Sequence, residues 1–289
     1  MRSLSEWAKR YMNVVLLRNP AGRLVTVFPN DIFLVTYPRS GSTWSRFLFG
    51  NLLHTDQAVN FTNASQLVPT IYEHTDRKLR SLPRILKSHE CFDPRYPRVI
   101  HIVRDPRDVA VSLYYYSQKV RVLPDGYPIE EFVTRFLRAE VVGWADRLGS
   151  WEDHTRSWLC LRRGKSNYCL IRYEDLLSDT ARELARAAPL LQIDLTPERI
   201  ERAVRLSSAT EMRSLEQKQW KKWTATKDSR ADIPFVREAK SGGWKNHLSE
   251  DSIKRIEQAW WATMKELGYE LSHNAQPLRD TKVSSSTTG

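Results

Sequence analysis

Three stretches of this chain join residue types that handle anions and protons. In FLVTYPRSGSTW, residues 33–44, an apolar run gives way to Pro38, Arg39, Ser40, Gly41, Ser42 and Thr43 before Trp44. A strand turning through such small residues into a helix leaves free backbone N–H groups at the helix start, which suit an anion. Gly41 admits an unusual backbone angle or a close approach. The hydroxyls add donors, and Arg39 adds a charge-assisted contact. In VRDPRDVAVSLYYY, Arg104 ends an apolar run and Ser112 follows eight residues on. Arg104 therefore stands where open α/β sheets bind ligands. In LKSHE, Lys87 and His89 are two residues apart. Strand alternation puts both on one side, a histidine placed for general-base work beside a cation that stabilises developing negative charge. Each stretch also has a plainer reading: a helix cap, a solvated charge cluster, a structural histidine.

The elements that must position these residues are short apolar runs: DIFLVTY (31–37), RILKSH (84–89), RVIHIV (98–103) and YCLIRY (168–173). They read as buried strands, each followed by polar residues and a helix-period segment. Asp105 can cap and Pro106 can start the helix through RDVAVSLYYYSQ. Ser178 or Asp179 can cap the segment after the fourth strand. Alternating strands and helices predict βαβ units around a parallel sheet in a single α/β domain. The region 120–165 reads as helical, with Trp144, Trp151 and Trp158 as packing residues. Residues 214–243 read as a long, partly mobile loop, and 249–268 as a capped C-terminal helix. The expected organisation is an N-terminal segment (1–29), a domain (30–271) and a disordered tail (272–289).

Composition narrows the classes of function. The 289 residues carry 45 Lys and Arg against 34 Asp and Glu, a net charge of +11 that favours anionic partners. No apolar run reaches the length of about 18 residues that a membrane span needs, and MRSLSEWAKR lacks a signal peptide's apolar core. A soluble, cytoplasmic protein without stable membrane insertion is expected. Three cysteines without C-x-x-C spacing argue against a disulfide framework or a zinc site.

Taken jointly and in order, YPRSGSTW, LKSH, VRDPRDVAVS, RYEDL and FVREAKSGGWKNH resemble the cytosolic-type sulfotransferases, which use 3′-phosphoadenosine 5′-phosphosulfate (PAPS). The resemblance covers roughly residues 30–270. It implies a P-loop-kinase-like sulfotransferase fold and a small-molecule acceptor carrying a hydroxyl or amine, with no metal. By the same resemblance, Arg39, Ser40, Gly41, Ser42 and Thr43 hold the 5′-phosphosulfate and Trp44 stacks on adenine. Arg104, Ser112 and Arg237 hold the 3′-phosphate. Tyr173, Ser207, Met212 and Phe235 surround the adenine. His89 is the catalytic base, with Lys87 and Arg39 at the sulfuryl group.

The chain departs from the family pattern at several positions. Arg39 stands where lysine is usual, Glu238-Ala239 where the family has Lys-Gly, and Ala209 where it has an aromatic adenine contact. The family's dimerisation segment is not evident, which leaves a homodimer open. Acceptor-binding loops are expected at 55–80, 118–150 and 214–235, carrying Tyr72, Tyr114 to Tyr116, Trp220 and Trp223. The alternatives are a P-loop nucleotide kinase, which lacks its signature lysine and magnesium ligand here, and a degenerate nucleotide-binding homologue. A basic nucleic-acid-binding module is a further class. It is disfavoured because the arginines sit at strand ends and no nucleic-acid motif occurs.

Overall fold

The computed structural model describes residues 27–72, 84–141, 148–223 and 226–272. Trp144, nearly all of the N-terminal segment and the tail beyond Ser272 lie outside these residues. Four strands form one parallel sheet: β1 (Ile32–Thr36), β2 (Ile85–Ser88), β3 (Arg98–Val103) and β4 (Tyr168–Arg172), in the order β2-β1-β3-β4. Every residue of β1 is buried, as a central strand covered on both faces must be.

The helices follow from local signals. α1 (Ser42–Leu53) continues β1, and α2 (Ala64–Leu67) is a single turn. α3 (Pro106–Lys119) begins as expected, with Asp105 accepting from the Arg107 N–H and Pro106 in the first turn. Within 120–165, read as helical, α4 (Ile129–Leu137) and α5 (Trp151–Arg162) form, while 120–128 is loop; α5 opens on a capping box between Ser150 and Asp153. α6 (Tyr173–Ser178) leads into α7 (Thr180–Leu191), whose cap is Asp179. α8 (Pro197–Leu206), α9 (Ala209–Gln219) and the Ser249-capped α10 (Glu250–Glu266) follow among the described residues.

Two apolar layers sandwich the sheet. Ile32, Leu34, Ile85 and Ile100 pack with α1, α7 and α8. On the other face, Phe33, Val35, Leu86 and Val99 pack around Trp158. Trp151 and Trp158 are buried, as expected, and each indole also steadies a strand end. Trp151 Nε1 donates to the Arg104 carbonyl at 3.1 Å, and Trp158 Nε1 to the Glu90 carbonyl at 3.0 Å.

One expectation is corrected. The loop begins at Trp220 rather than at 214, because Ser208 caps α9 by accepting from the Glu211 N–H at 3.2 Å. The run that follows is rich in helix formers but has little apolar periodicity. Met212 is buried in an apolar cluster, but Glu216 and Arg213 bind backbone. Glu216 accepts from the N–H groups of Phe235 and Val236 at 2.6 and 2.9 Å, and Arg213 donates to the Val236, Arg237 and Glu238 carbonyls. The late part of the expected mobile loop is thus tied to α9.

Three histidines are kept neutral inside this fold. Burial pushes His89 and His101 well below the ordinary histidine value, and pushes His154 down to about 3. The unfolded chain binds protons at these positions near pH 6.5 and the folded chain does not. Their contribution is therefore fully present above about pH 6.5 and is lost as pH falls toward the depressed values. His154→Phe should flatten the decline of unfolding free energy between about pH 6.5 and 4.5, read from urea melts. An unchanged slope would show that carboxylates alone set the acid limit.

Candidate active site

The carboxyl ends of β1 and β3 open into a cleft of about 260 Å³. Gly41 starts α1 at φ +93° and no side chain caps the helix, which leaves its first N–H groups to an incoming anion. A Cβ at Gly41 would stand 2.7 Å from the Tyr173 ring, so glycine is required by both conformation and space. Two residues earlier Arg39 also takes a left-handed conformation, φ +67°, a strain uncommon outside glycine.

The cations gather at one end of the cleft. The Arg39 guanidinium lies over the rings of Tyr116 and Phe235, at 4.7 and 4.6 Å, and its Nε donates to Ser112 Oγ at 3.2 Å. Burial, with Arg104 and Arg237 nearby, lowers its pKa to about 10, still charged at neutral pH. Arg104 lies over Tyr173 at 4.2 Å and donates to the Arg39 and Lys240 carbonyls at 3.3 and 3.0 Å. Arg237 lies over Tyr115 at 4.4 Å. The segment carrying it is anchored by Asp108, which accepts from the Gly242 and Trp244 N–H groups at 2.7 and 3.0 Å. Arg104 and Asp108 thus line the cleft while Arg107 is buried in ion pairs with Asp105 and Glu257, so the run is not a solvated cluster.

An aromatic and apolar compartment adjoins these charges. Trp44 meets the Tyr173 ring edge-on at 5.4 Å and donates from Nε1 to the Ser207 carbonyl at 3.0 Å. Ser207 is buried, its hydroxyl taken by Asn51 at 3.1 Å, and Met212 and Phe235 close the compartment. The cleft thus brings together Arg39, Gly41 to Trp44, Arg104, Ser112, Tyr173, Ser207, Met212, Phe235 and Arg237 from five separate stretches of the sequence. Ser40 is fully buried in the turn and does not line it. Sequence reasoning missed Asp108 and Lys240 as cleft residues, although both lie inside the motifs quoted above.

Lys87 and His89 stand apart from this cleft, at the end of β2 beside the end of β1. His89 Nδ1 is 2.7 Å from the Thr36 carbonyl oxygen, three residues before Arg39. That carbonyl can only accept, so Nδ1 carries the proton and the lone pair is on Nε2. The His89 N–H donates to the Tyr72 hydroxyl at 2.9 Å, and the two rings stack at 6.4 Å. The expected acceptor aromatics divide. Tyr72 is against the histidine, Tyr115 and Tyr116 carry arginines, and Trp223 packs on Phe61 and Phe235. Among the described residues no group of three or more His, Cys, Asp or Glu is placed to hold a metal, and no helix is long and apolar enough to cross a membrane.

Comparison with known proteins agrees with this architecture. The family model of the sulfotransferase domain matches residues 29–268. The chain is 31% identical over 232 residues to sulfotransferase 2B1 of Mus musculus, a match covering 76% of this chain and 67% of that one. Mouse sulfotransferase SULT7A1 complexed with PAP superposes with a TM-score of 0.65 at 25% identity, covering 84% of this chain and 87% of that one. Retinol dehydratase in a complex with retinol and PAP shares the fold, with a TM-score of 0.69 at 21% identity over 86% of this chain and 84% of that one.

Proposed function

This chain belongs to the sulfotransferase domain family, and on that premise we propose that it moves a sulfuryl group from PAPS to a hydroxyl, or amine, of a small-molecule acceptor with His89 as the base. The observation that carries the reading is the division of the cleft. One cleft holds an uncapped helix start, the Arg104–Ser112–Arg237 cluster and an apolar, aromatic compartment of Trp44, Tyr173 and Met212. Two groups of anion-binding residues beside an aromatic compartment suit a nucleotide with a 5′- and a 3′-phosphate better than one with a single phosphate chain.

The chemistry follows from the residues. The acceptor oxygen attacks sulfur in line as its proton passes to His89 Nε2. The bond from sulfur to the bridging oxygen breaks, and the bisphosphate leaves. Such transfer is mostly positioning and charge neutralisation. The N–H groups at the start of α1, with Arg39 and Lys87, meet the charge that develops on the sulfuryl and leaving phosphate oxygens. Tyr72 beside His89 suits a wall for a flat, apolar acceptor.

The test is calorimetric. Wild type should bind 3′,5′-adenosine bisphosphate equally well in EDTA and in magnesium. Arg104→Ala should lose about tenfold to a hundredfold in that affinity, the size of a charge-assisted contact. Affinity for adenosine 5′-phosphate should change far less, which separates lost 3′-phosphate contact from general damage to the loop. Unchanged bisphosphate affinity removes the assignment, and binding of magnesium ATP in preference to the bisphosphate would favour the kinase reading.

A further inference from the structure

The cation cluster at the 3′-phosphate end of the cleft includes two carboxylates: Asp108 lies 3.9 Å from Arg104 and is also taken by backbone N–H groups, whereas the side-chain contacts of Glu238 are all with cations or a histidine. Its Oε1 accepts from Arg237 Nη1 at 2.5 Å and lies 3.0 Å from His247 Nε2, while Oε2 lies 3.1 Å from Lys240 Nζ. The position is tightly fitted: a Cβ on Gly243 would stand 2.8 Å from Oε2. His247 Nδ1 is 3.1 Å from the Tyr115 hydroxyl, the same tyrosine that lies under Arg237. The backbone here is held independently, by Arg213 on the Glu238 carbonyl and by Arg104 on that of Lys240. Glu238 is thus not needed to close the segment. It faces the cleft together with the cations it binds.

We propose that Glu238 is an internal competitor of the nucleotide's 3′-phosphate, occupying Arg237 and Lys240 and so setting how tightly the nucleotide is held. The inference rests on the nucleotide reading of the cleft given above. A carboxylate and a phosphate are acceptors for the same guanidinium fork and the same ammonium group. Both anions cannot share these partners without repulsion, so part of the phosphate's binding energy is spent in displacing the carboxylate. The consequence is a weaker hold on substrate and product nucleotide alike, and a faster departure of the bisphosphate.

A graded series tests this. Glu238→Gln keeps the shape and removes the charge, and Glu238→Lys reverses it. Affinity for 3′,5′-adenosine bisphosphate should rise in the order Glu, Gln, Lys, the first step by about tenfold. Adenosine 5′-phosphate, which lacks the 3′-group, should bind all three proteins within about twofold. A flat series with the bisphosphate, or an equal gradient with both nucleotides, overturns the competition. A reversed series would show that Glu238 instead holds the segment in place, and likewise overturns it. If wild type binds the bisphosphate no more tightly than the monophosphate, the fault lies in the two-phosphate reading itself, whatever the series does.

Discussion

Replacing His89 with alanine is expected to lower turnover by about 10² to 10⁴-fold, the usual contribution of a positioned base, while leaving affinity for 3′,5′-adenosine bisphosphate nearly intact. The two effects separate because His89 stands outside the cleft, at the end of β2, and meets β1 at Thr36, whose carbonyl and hydroxyl oxygens lie 2.7 and 3.1 Å from Nδ1. The hydrogen bond to the carbonyl fixes the proton on Nδ1 and directs basicity to Nε2. Burial first, and Lys87 second, hold the ring well below the ordinary histidine value, so at neutral pH it is unprotonated and competent. The sign of the pH effect follows. Wild-type turnover should fall as pH drops through that depressed value, and the variant's profile should lack this limb. Alcohol acceptors, whose protons are hard to remove, should suffer more than acidic phenols. An alanine variant that sulfates an alcohol at close to the wild-type rate would make His89 a structural partner of Thr36 and place the base elsewhere.

What could be read from the chain divides by how local its causes are. β3 coincides with RVIHIV, and α3 starts where Asp105 and Pro106 require, because strand patterning and capping act over a few residues. The loop of residues 39–44 was legible for the same reason: its glycine and hydroxyls announce an uncapped helix start. The end of the Arg104 strand was legible as a place where the sheet opens into a cleft, but not its support. Nothing near Trp151 signals that its indole holds the Arg104 carbonyl from 47 residues away. Likewise only Met212 and Leu215 give α9 an apolar side, Glu216 and Arg213 holding backbone instead, and a reading built on hydrophobic period takes the later part of such a helix for loop. Tyr115 and Tyr116 resemble acceptor-binding aromatics in a list of residues. Only the fold shows them beneath Arg237 and Arg39.

Arg39 is the second residue whose loss should be severe, and the reasoning differs from that for His89. Its backbone is in the left-handed region at φ +67°, and its guanidinium is held over two rings with Nε on Ser112. Such strain persists only where the surroundings over-determine it. The lowered pKa, about 10, leaves it cationic at any working pH. If that charge meets the oxygens between sulfur and the leaving phosphate, its value is realised as the bond breaks. Arg39→Ala should then cost about 10² to 10³-fold in turnover, as removal of one stabilising donor does. Binding of the bisphosphate, which has no sulfuryl group, should weaken by less than about tenfold. The Ser112 contact supplies the opposing expectation, since a guanidinium tied to the 3′-phosphate end would serve only as an anchor. Equal losses in turnover and in bisphosphate affinity would establish that role and remove Arg39 from the chemical step. Arg39→Lys separates charge from shape. It keeps the cation and gives up the fork and part of the ring contact, so turnover well above that of the alanine variant is expected, because the leaving oxygen needs a charge more than it needs two hydrogen bonds.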